Sequence, residues 1–290
     1  YWFTCCHHIV IDASGIALVG HRIATIYSAV VSGAPMPPAF FGSLEDLIRS
    51  ESDYEASNDC SADQAYWAQN LPSDGGADHG LLQAEGRRDP HASAPVRMDP
   101  VVLRRVQELS DLWNMPQSSV IAAACGLLVR SWGLEDPEVV LDFPVSRRVS
   151  LGSRTLPGMV AGVVPLVMKA SPRSTVADFC QHVDTRIRDA LRHQRFPVQA
   201  LERQARFRAT GQPAARVSVN FLPSAFTLDF GGVTASASFT NSGLTGGFGL
   251  FFSGLGDQVL FGTEGAEQPF SFDVAELVER LTRVLVAMTA

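Results

Sequence analysis

The sequence has no surplus of basic residues: 23 Lys and Arg stand against 30 Asp and Glu across 290 residues, a net charge of −7. Phosphate backbones are bound by clustered cations in excess, so nucleic acid is not an expected partner. Long apolar runs are also missing. Stretches such as Val120–Val129 and Val160–Met168 fall short of the roughly twenty residues that a bilayer demands, and no membrane span is expected. Cysteine is sparse: Cys5, Cys6, Cys60, Cys125 and Cys180 form no CxxC pair and no zinc spacing, which reads as reduced thiols in a cytoplasmic protein. No metal site is expected. The chain opens Tyr1-Trp2-Phe3-Thr4, with no initiator Met, positive leader or cleavage site, so it reads as a fragment. The Gly-containing stretch Ser242–Leu250 has no Lys after it, and turns explain it better than a phosphate loop. What the chain does have is a hydrophobic content of 46%, enough for two packed lobes.

Residues Tyr1–Ile11, rich in aromatic and β-branched types, predict a buried strand that packs Cys5 and Cys6. Ile16–Val31 has helical spacing, closed by Ser32-Gly33. A Pro-rich turn, Ala34–Pro38, leads to helical stretches from Ser43 and from Ser61 to Asn70. Residues Pro72–Pro100 lack periodicity, which puts a lobe boundary there and divides the chain into 1–95 and 96–290. Beyond it, helices are predicted at Val101–Trp113, Ser118–Trp132, Thr175–Gln194 and Val274–Met288. Strands are predicted at Val139–Val145, Val160–Val167 and Val217–Leu222, with strands and turns from Thr227 to Phe261. Alternating strands and helices indicate an α/β arrangement.

The pair His7-His8, followed by Asp12 at a strand-to-helix junction, is the most informative chemical feature. Adjacent strand residues point to opposite faces, so only one imidazole faces a given cavity. His8, nearer the loop, is the expected exposed one; His7 is expected in the interior, bracing the backbone. Imidazole, with an unperturbed pKa of about 6.5, suits proton transfer at neutral pH. Asp12 has two roles open to it: orienting an imidazole, or binding a distant Arg and fixing the loop. Three convergent metal ligands are not expected of such neighbours.

The segment HHIVIDA resembles the signature of nonribosomal peptide synthetase condensation domains, His-His, three residues, Asp-Gly. The stretches YSAVVSGAPMP, DQAYWAQNLP, DFPVSRR, MVAGVVPLVM, RHQRFPVQAL and VSVNFLP resemble that family's successive blocks in the same order. The resemblance implies a chloramphenicol-acetyltransferase-like fold of two α+β sandwich lobes in a V, the first lobe incomplete because the family's segment upstream of His-His is missing. It implies that His8 is catalytic and that His7 is structural. Asp12 is implied to pair with Arg148, the Arg ending the family's Gly-Arg element. Ala13, Gly15 and Asn220 are implied near a tunnel, and the His193–Pro197 block is implied to be structural.

Three positions depart from the pattern: Ala13 replaces Gly, Arg147 replaces the Gly of Gly-Arg, and Gly162 stands where many members have Asn. If position 13 needs a positive φ, Ala costs about 1 kcal/mol there.

The implied reaction joins a donor acyl or peptidyl thioester to the amine of an acceptor aminoacyl thioester. Upstream and downstream peptidyl carrier proteins deliver both on phosphopantetheine arms, beside an adenylation domain of a multimodular synthetase, siderophore synthetases included. The domain itself is implied to bind no cofactor. The competing readings are a degenerate carrier-docking domain, motivated by Ala13 and the missing segment, and an epimerization domain or related acyltransferase.

Overall fold

The computed structural model describes residues 2–72, 95–132, 138–171, 173–209, 216–222, 227–236, 248–254, 258–264 and 273–289. The core of the predicted lobe boundary and most of the Ser242–Leu250 stretch lie outside the described residues.

Contacts divide the chain into two compact units. The first comprises Tyr1–Asp63, Ser146–Gly162 and Ala225–Ser242; the second comprises Gln64–Val145, Val163–Ser224 and Gly243–Ala290. Each unit therefore draws on separate stretches of the chain. Side-chain anchors between distant segments draw 146–162 back to the first unit, a pairing that no local pattern encodes.

The first unit is built on helix α1 (Ala13–Ser32) and helix α2 (Leu44–Glu55), with a hairpin of β5 (Thr227–Asp229) and β6 (Thr234–Ser236). Asp12 caps α1 at its N-terminus, and Gly33 ends it in the left-handed region at φ 68°, where a Cβ would be strained. Ser43 caps α2 by accepting from the Glu45 N–H. At 20 residues, α1 is long and apolar enough to cross a membrane, although Gly, Ser and Thr interrupt its apolar residues. The Ser28 hydroxyl accepts from the Gly231 N–H (2.7 Å), which ties α1 to the β5–β6 hairpin.

The predicted strand over residues 1–11 does not form. Residues 2–7 are irregular and exposed, 8–10 form a turn, and Cys5 and Cys6 are exposed rather than packed. Composition favours a strand, but extended backbone persists as a strand only where a neighbour takes its hydrogen bonds. None of the described strands pairs with it.

The second unit holds a six-stranded sheet in the order β1-β8-β7-β4-β2-β3, formed by β1 (Val96–Arg97), β2 (Glu138–Val145), β3 (Gly162–Lys169), β4 (Val217–Leu222), β7 (Phe248–Ser253) and β8 (Leu260–Glu264). β4 runs parallel to both β2 and β7, while β8 runs antiparallel to β7 and β1. Helices α4 (Pro100–Trp113), α5 (Gln117–Arg130), α7 (Val176–Arg192) and α9 (Val274–Met288) accompany the sheet, with α5 packed on α4, α7, α9, β2 and β4.

The middle of α5 is apolar and buried almost all round: every residue from Ser119 to Val129 except Leu127 is buried. Ser119, the one hydroxyl in that stretch, donates to Asp184 at 2.8 Å. α7 begins with a capping box, Thr175 and Asp178 each accepting from the other's backbone N–H. The buried thiols are inert packing: burial pushes Cys180 up to about 12 and Cys125 higher still.

The predicted helices and the strands β2, β3 and β4 thus lie where sequence periodicity puts them. Helices α6 (Leu151–Arg154) and α8 (Val198–Ala209) were not foreseen. The 13-residue α3 (Asn58–Asn70) ends in the second unit, where Tyr66 stacks on His193 at 4.0 Å and Trp67 Nε1 donates to the His193 carbonyl at 2.9 Å. The DQAYWAQNLP and RHQRFPVQAL segments therefore hold each other, a structural use of His193.

Candidate functional site

The site grows from the N-terminus of α1. Asp12 is extended (φ −99°, ψ 177°) and buried, and its carboxylate takes four hydrogen bonds. Oδ1 accepts from the Gly15 N–H at 2.8 Å and from Arg148 Nη2 at 2.7 Å; Oδ2 accepts from the Val160 and Ala161 N–H groups at 3.0 Å each. One carboxylate thus closes a helix, a distant arginine and the loop before β3 into a single clasp. Burial alone would push its pKa up, but the bonds from Gly15, Val160, Arg148 and Ala161 outweigh that, and the carboxyl is held below the usual aspartate range. Helix-end partial charge acts in the same direction.

Arg148 is matched to this clasp by its planar fork. Nη1 donates to the carbonyls of Ser153 and Leu156, while Nη2 donates to the Gly158 carbonyl at 3.0 Å as well as to Asp12. The side chains of Arg148 and Asp12 are only 7% and 5% exposed, so the pair is a buried one. The carbonyls that Arg148 collects end α6 and form the 156–158 turn, and each also accepts a backbone N–H, from Leu156, Gly158 and Asp12 in turn. Of the two roles open to Asp12, the structure therefore shows the anchoring one.

The histidines stand just before the clasp. The His7 carbonyl accepts from the Val10 N–H at 3.1 Å, and its Nδ1 accepts from the Ile9 N–H, also at 3.1 Å. His7 braces backbone as expected, but from an exposed position and not from the interior. The turn, not strand alternation, separates the two rings. His8 is exposed, and its side chain makes no hydrogen bond among the described residues.

Ala13 is the first residue of α1, and among the described residues only Asn114 and Arg147 are non-glycines with positive φ. The departure from Gly at 13 therefore carries no backbone strain. Gly15 is buried under the 158 turn rather than open to a passage: a Cβ there would meet Ile11 Cγ1 at 2.6 Å and the Gly158 backbone at 3.2 Å. Gly15→Ala is expected to cost about 1–3 kcal/mol, read from urea unfolding, because it pushes apart the surfaces that Asp12 closes.

Asn220 belongs to the second unit. It is half-buried on β4, opposite Phe251 in register, and alternates with the buried Val217 and Val219 that pack in the helix-covered core. It thus lies on the sheet face away from the helices.

Sequence reasoning missed the backbone donors of Val160 and Ala161, which leave no side-chain signal. It also did not foresee the left-handed conformation of Arg147, for which the Gly expected at that position was the available sign.

A family model described as "Condensation domain" matches residues 1–227. Similar proteins include a dimodular nonribosomal peptide synthase of Bacillus subtilis (strain 168), 26% identical over 249 residues, which are 84% of this chain and 10% of that protein. Enterobactin synthase component F of Escherichia coli (strain K12) is 22% identical over 240 residues, 81% of this chain and 18% of that protein. Among solved structures, the first condensation domain of the calcium-dependent antibiotic synthetase, in complex with a substrate analogue, superposes with a TM-score of 0.76 at 26% identity. That match covers 98% of this chain and 63% of that one, so the chain spans less than two thirds of the relatives it resembles. With a matching model over most of its length and the expected two-layer α/β fold, the chain belongs to the condensation domain family of nonribosomal peptide synthetases.

Proposed function

We propose that the chain forms an amide bond between two carrier-bound thioesters, with His8 as the catalytic residue. The observation that carries this reading is the Asp12 clasp. A carboxylate bound by four donors at the start of α1 fixes the backbone four residues from His8, whose ring is exposed and has no hydrogen bond among the described residues. Rigid placement of one uncommitted imidazole is what positioned proton transfer requires.

In the proposed reaction the acceptor's α-amine attacks the donor's thioester carbonyl, and a C–N bond forms as the carbonyl becomes tetrahedral. His8 takes the amine's proton or holds the amine by a hydrogen bond; collapse then breaks the C–S bond, and the donor thiolate leaves and is protonated. No acyl-enzyme is involved. Much of the acceleration is assigned to holding two tethered reactants together.

His7, Asp12 and Arg148 are supporting residues in this reading, and Asn220 lines the substrate passage. Segment 1–95 is read as the remainder of the donor-side lobe and 96–290 as the C-terminal lobe, with 146–162 contributing Arg148 to the donor side. The partners are upstream and downstream peptidyl carrier proteins with phosphopantetheine arms, next to an adenylation domain, in the cytoplasm. Ala13, which motivated a degenerate docking domain, is an ordinary helical residue and lends that alternative no support.

The test is a single-turnover reaction with one carrier loaded with an acyl thioester and the other with an aminoacyl thioester, followed by mass spectrometry of intact carriers. Transfer of the acyl mass to the acceptor carrier is the expected result. Solvent deuterium at the α-carbon without a new amide would indicate epimerization, and carrier binding without turnover a docking domain; either would overturn the proposal.

A further inference from the structure

Arg147 has a φ of 53°. The other non-glycine residue with positive φ among the described residues, Asn114, is the C-cap of α4, a place that Asn fills readily. A long side chain enters the left-handed region only where surrounding contacts hold it there. Around Arg147 they are specific. Its carbonyl accepts from the Val149 N–H at 2.9 Å, and the Ser146 hydroxyl accepts from the Arg148 N–H at 3.2 Å, which makes a tight turn directly before the arginine that anchors Asp12.

The Arg147 side chain turns onto Gly162. A Cβ at Gly162 would run into Nε and Cζ of Arg147 and lie 2.9 Å from Nη2. The guanidinium therefore fills the space that any side chain at 162 would need. Gly162 follows Val160 and Ala161, the two residues whose N–H groups hold Asp12 Oδ2. Burial lowers the pKa of Arg147, while Glu51 and Tyr54, both on α2, act to keep the charge in place. Arg147 thus faces α2 and the loop before β3.

We propose that Arg147 and Gly162 are an exchanged pair: the guanidinium supplies from position 147 the packing that a side chain at 162 would otherwise give, and so presses the 158–162 segment onto Asp12. Arg147 is then a positioning residue, acting through Val160 and Ala161 on the backbone that carries His8. The consequence for catalysis rests on the reading of His8 given above; the pairing itself does not.

The test uses the whole chain with Arg147→Gly, Gly162→Asn and the double variant. Gly162→Asn alone is expected to lower the melting temperature, and adding Arg147→Gly to restore most of that loss, since glycine at 147 vacates the space and accepts the left-handed φ. Arg147→Gly alone is expected to leave the melting temperature within a few degrees while the Val160 and Ala161 amides exchange with solvent about tenfold faster. In the amide-forming assay it lowers kcat about tenfold with KM for the acceptor carrier unchanged. A double variant no more stable than the sum of the single losses overturns the pairing. Unchanged exchange at Val160 and Ala161 overturns the positioning role. A parent chain that forms no amide overturns the function proposed for His8, and leaves the melting and exchange results to decide the pair by themselves.

Discussion

His8→Ala is expected to lower single-turnover amide formation by about 10²–10⁴-fold, the range that positioned acid–base catalysis contributes, with an unchanged melting temperature. The second half of that expectation makes the first informative. His8 is exposed and makes no hydrogen bond among the described residues, so the methyl group leaves no cavity and strands no partner. His7→Ala differs: it removes the acceptor of the Ile9 N–H and loosens the turn that presents His8.

One measurement separates the roles open to His8. If the ring serves by holding the amine, His8→Gln retains a larger part of the rate than His8→Ala, because the amide side chain still offers an acceptor. Near-parental product formation by a folded His8→Ala chain would remove His8 from the chemistry altogether.

Most of the longer helices were legible because their periodicity and their ends are written locally. Asp12, Ser43, Asp99, Thr175 and Asp273 each accept from a backbone N–H at a helix start, and Gly33 closes α1 in the left-handed region, which glycine enters without strain. The segment before Asp12 was misread because its aromatic and β-branched content reports strand propensity and not the presence of a neighbour to pair with.

The site was half legible. His7-His8 and Asp12 stand together in sequence, whereas Arg148 lies 136 residues from Asp12 and entered only through resemblance. Val160 and Ala161 bind Asp12 with main-chain N–H groups, which every non-proline residue has and no pattern distinguishes. Units assembled by such distant anchors each draw on separate stretches of the chain, which no local pattern in the sequence marks.

Asp12→Asn is expected to destabilise the chain nearly as much as Asp12→Ala, by about 3–5 kcal/mol, the cost of removing one partner of a buried ion pair. Asparagine matches the shape but not the chemistry. The carboxylate is an acceptor only and receives four donors, from Gly15, Arg148, Val160 and Ala161; an amide replaces one accepting oxygen with a donating NH₂. Its nitrogen would then face either Gly15 and Arg148 or Val160 and Ala161, donor against donor, while Arg148 stays buried without its counter-charge.

The same geometry sets a pH dependence. The folded carboxyl is held below the roughly 3.9 of an unfolded aspartate, so the stability it contributes is fully present above that value. It is lost as pH falls through the lower folded pKa, where both states are protonated. Urea unfolding of parent and Asp12→Asn should therefore differ by a constant amount from pH 7 to about 5 and converge below about 4. A gap that persists unchanged into acid would assign the loss to packing; an asparagine variant as stable as the parent at pH 7 would mean that the four donors do not depend on the charge. Against a typical domain stability of about 5–15 kcal/mol, a loss of the expected size removes between roughly a fifth and all of the margin. On warming, amide formation and the native circular dichroism signal should therefore fall together, and at a lower temperature than in the parent, in Asp12→Asn, whereas in His8→Ala the rate falls alone.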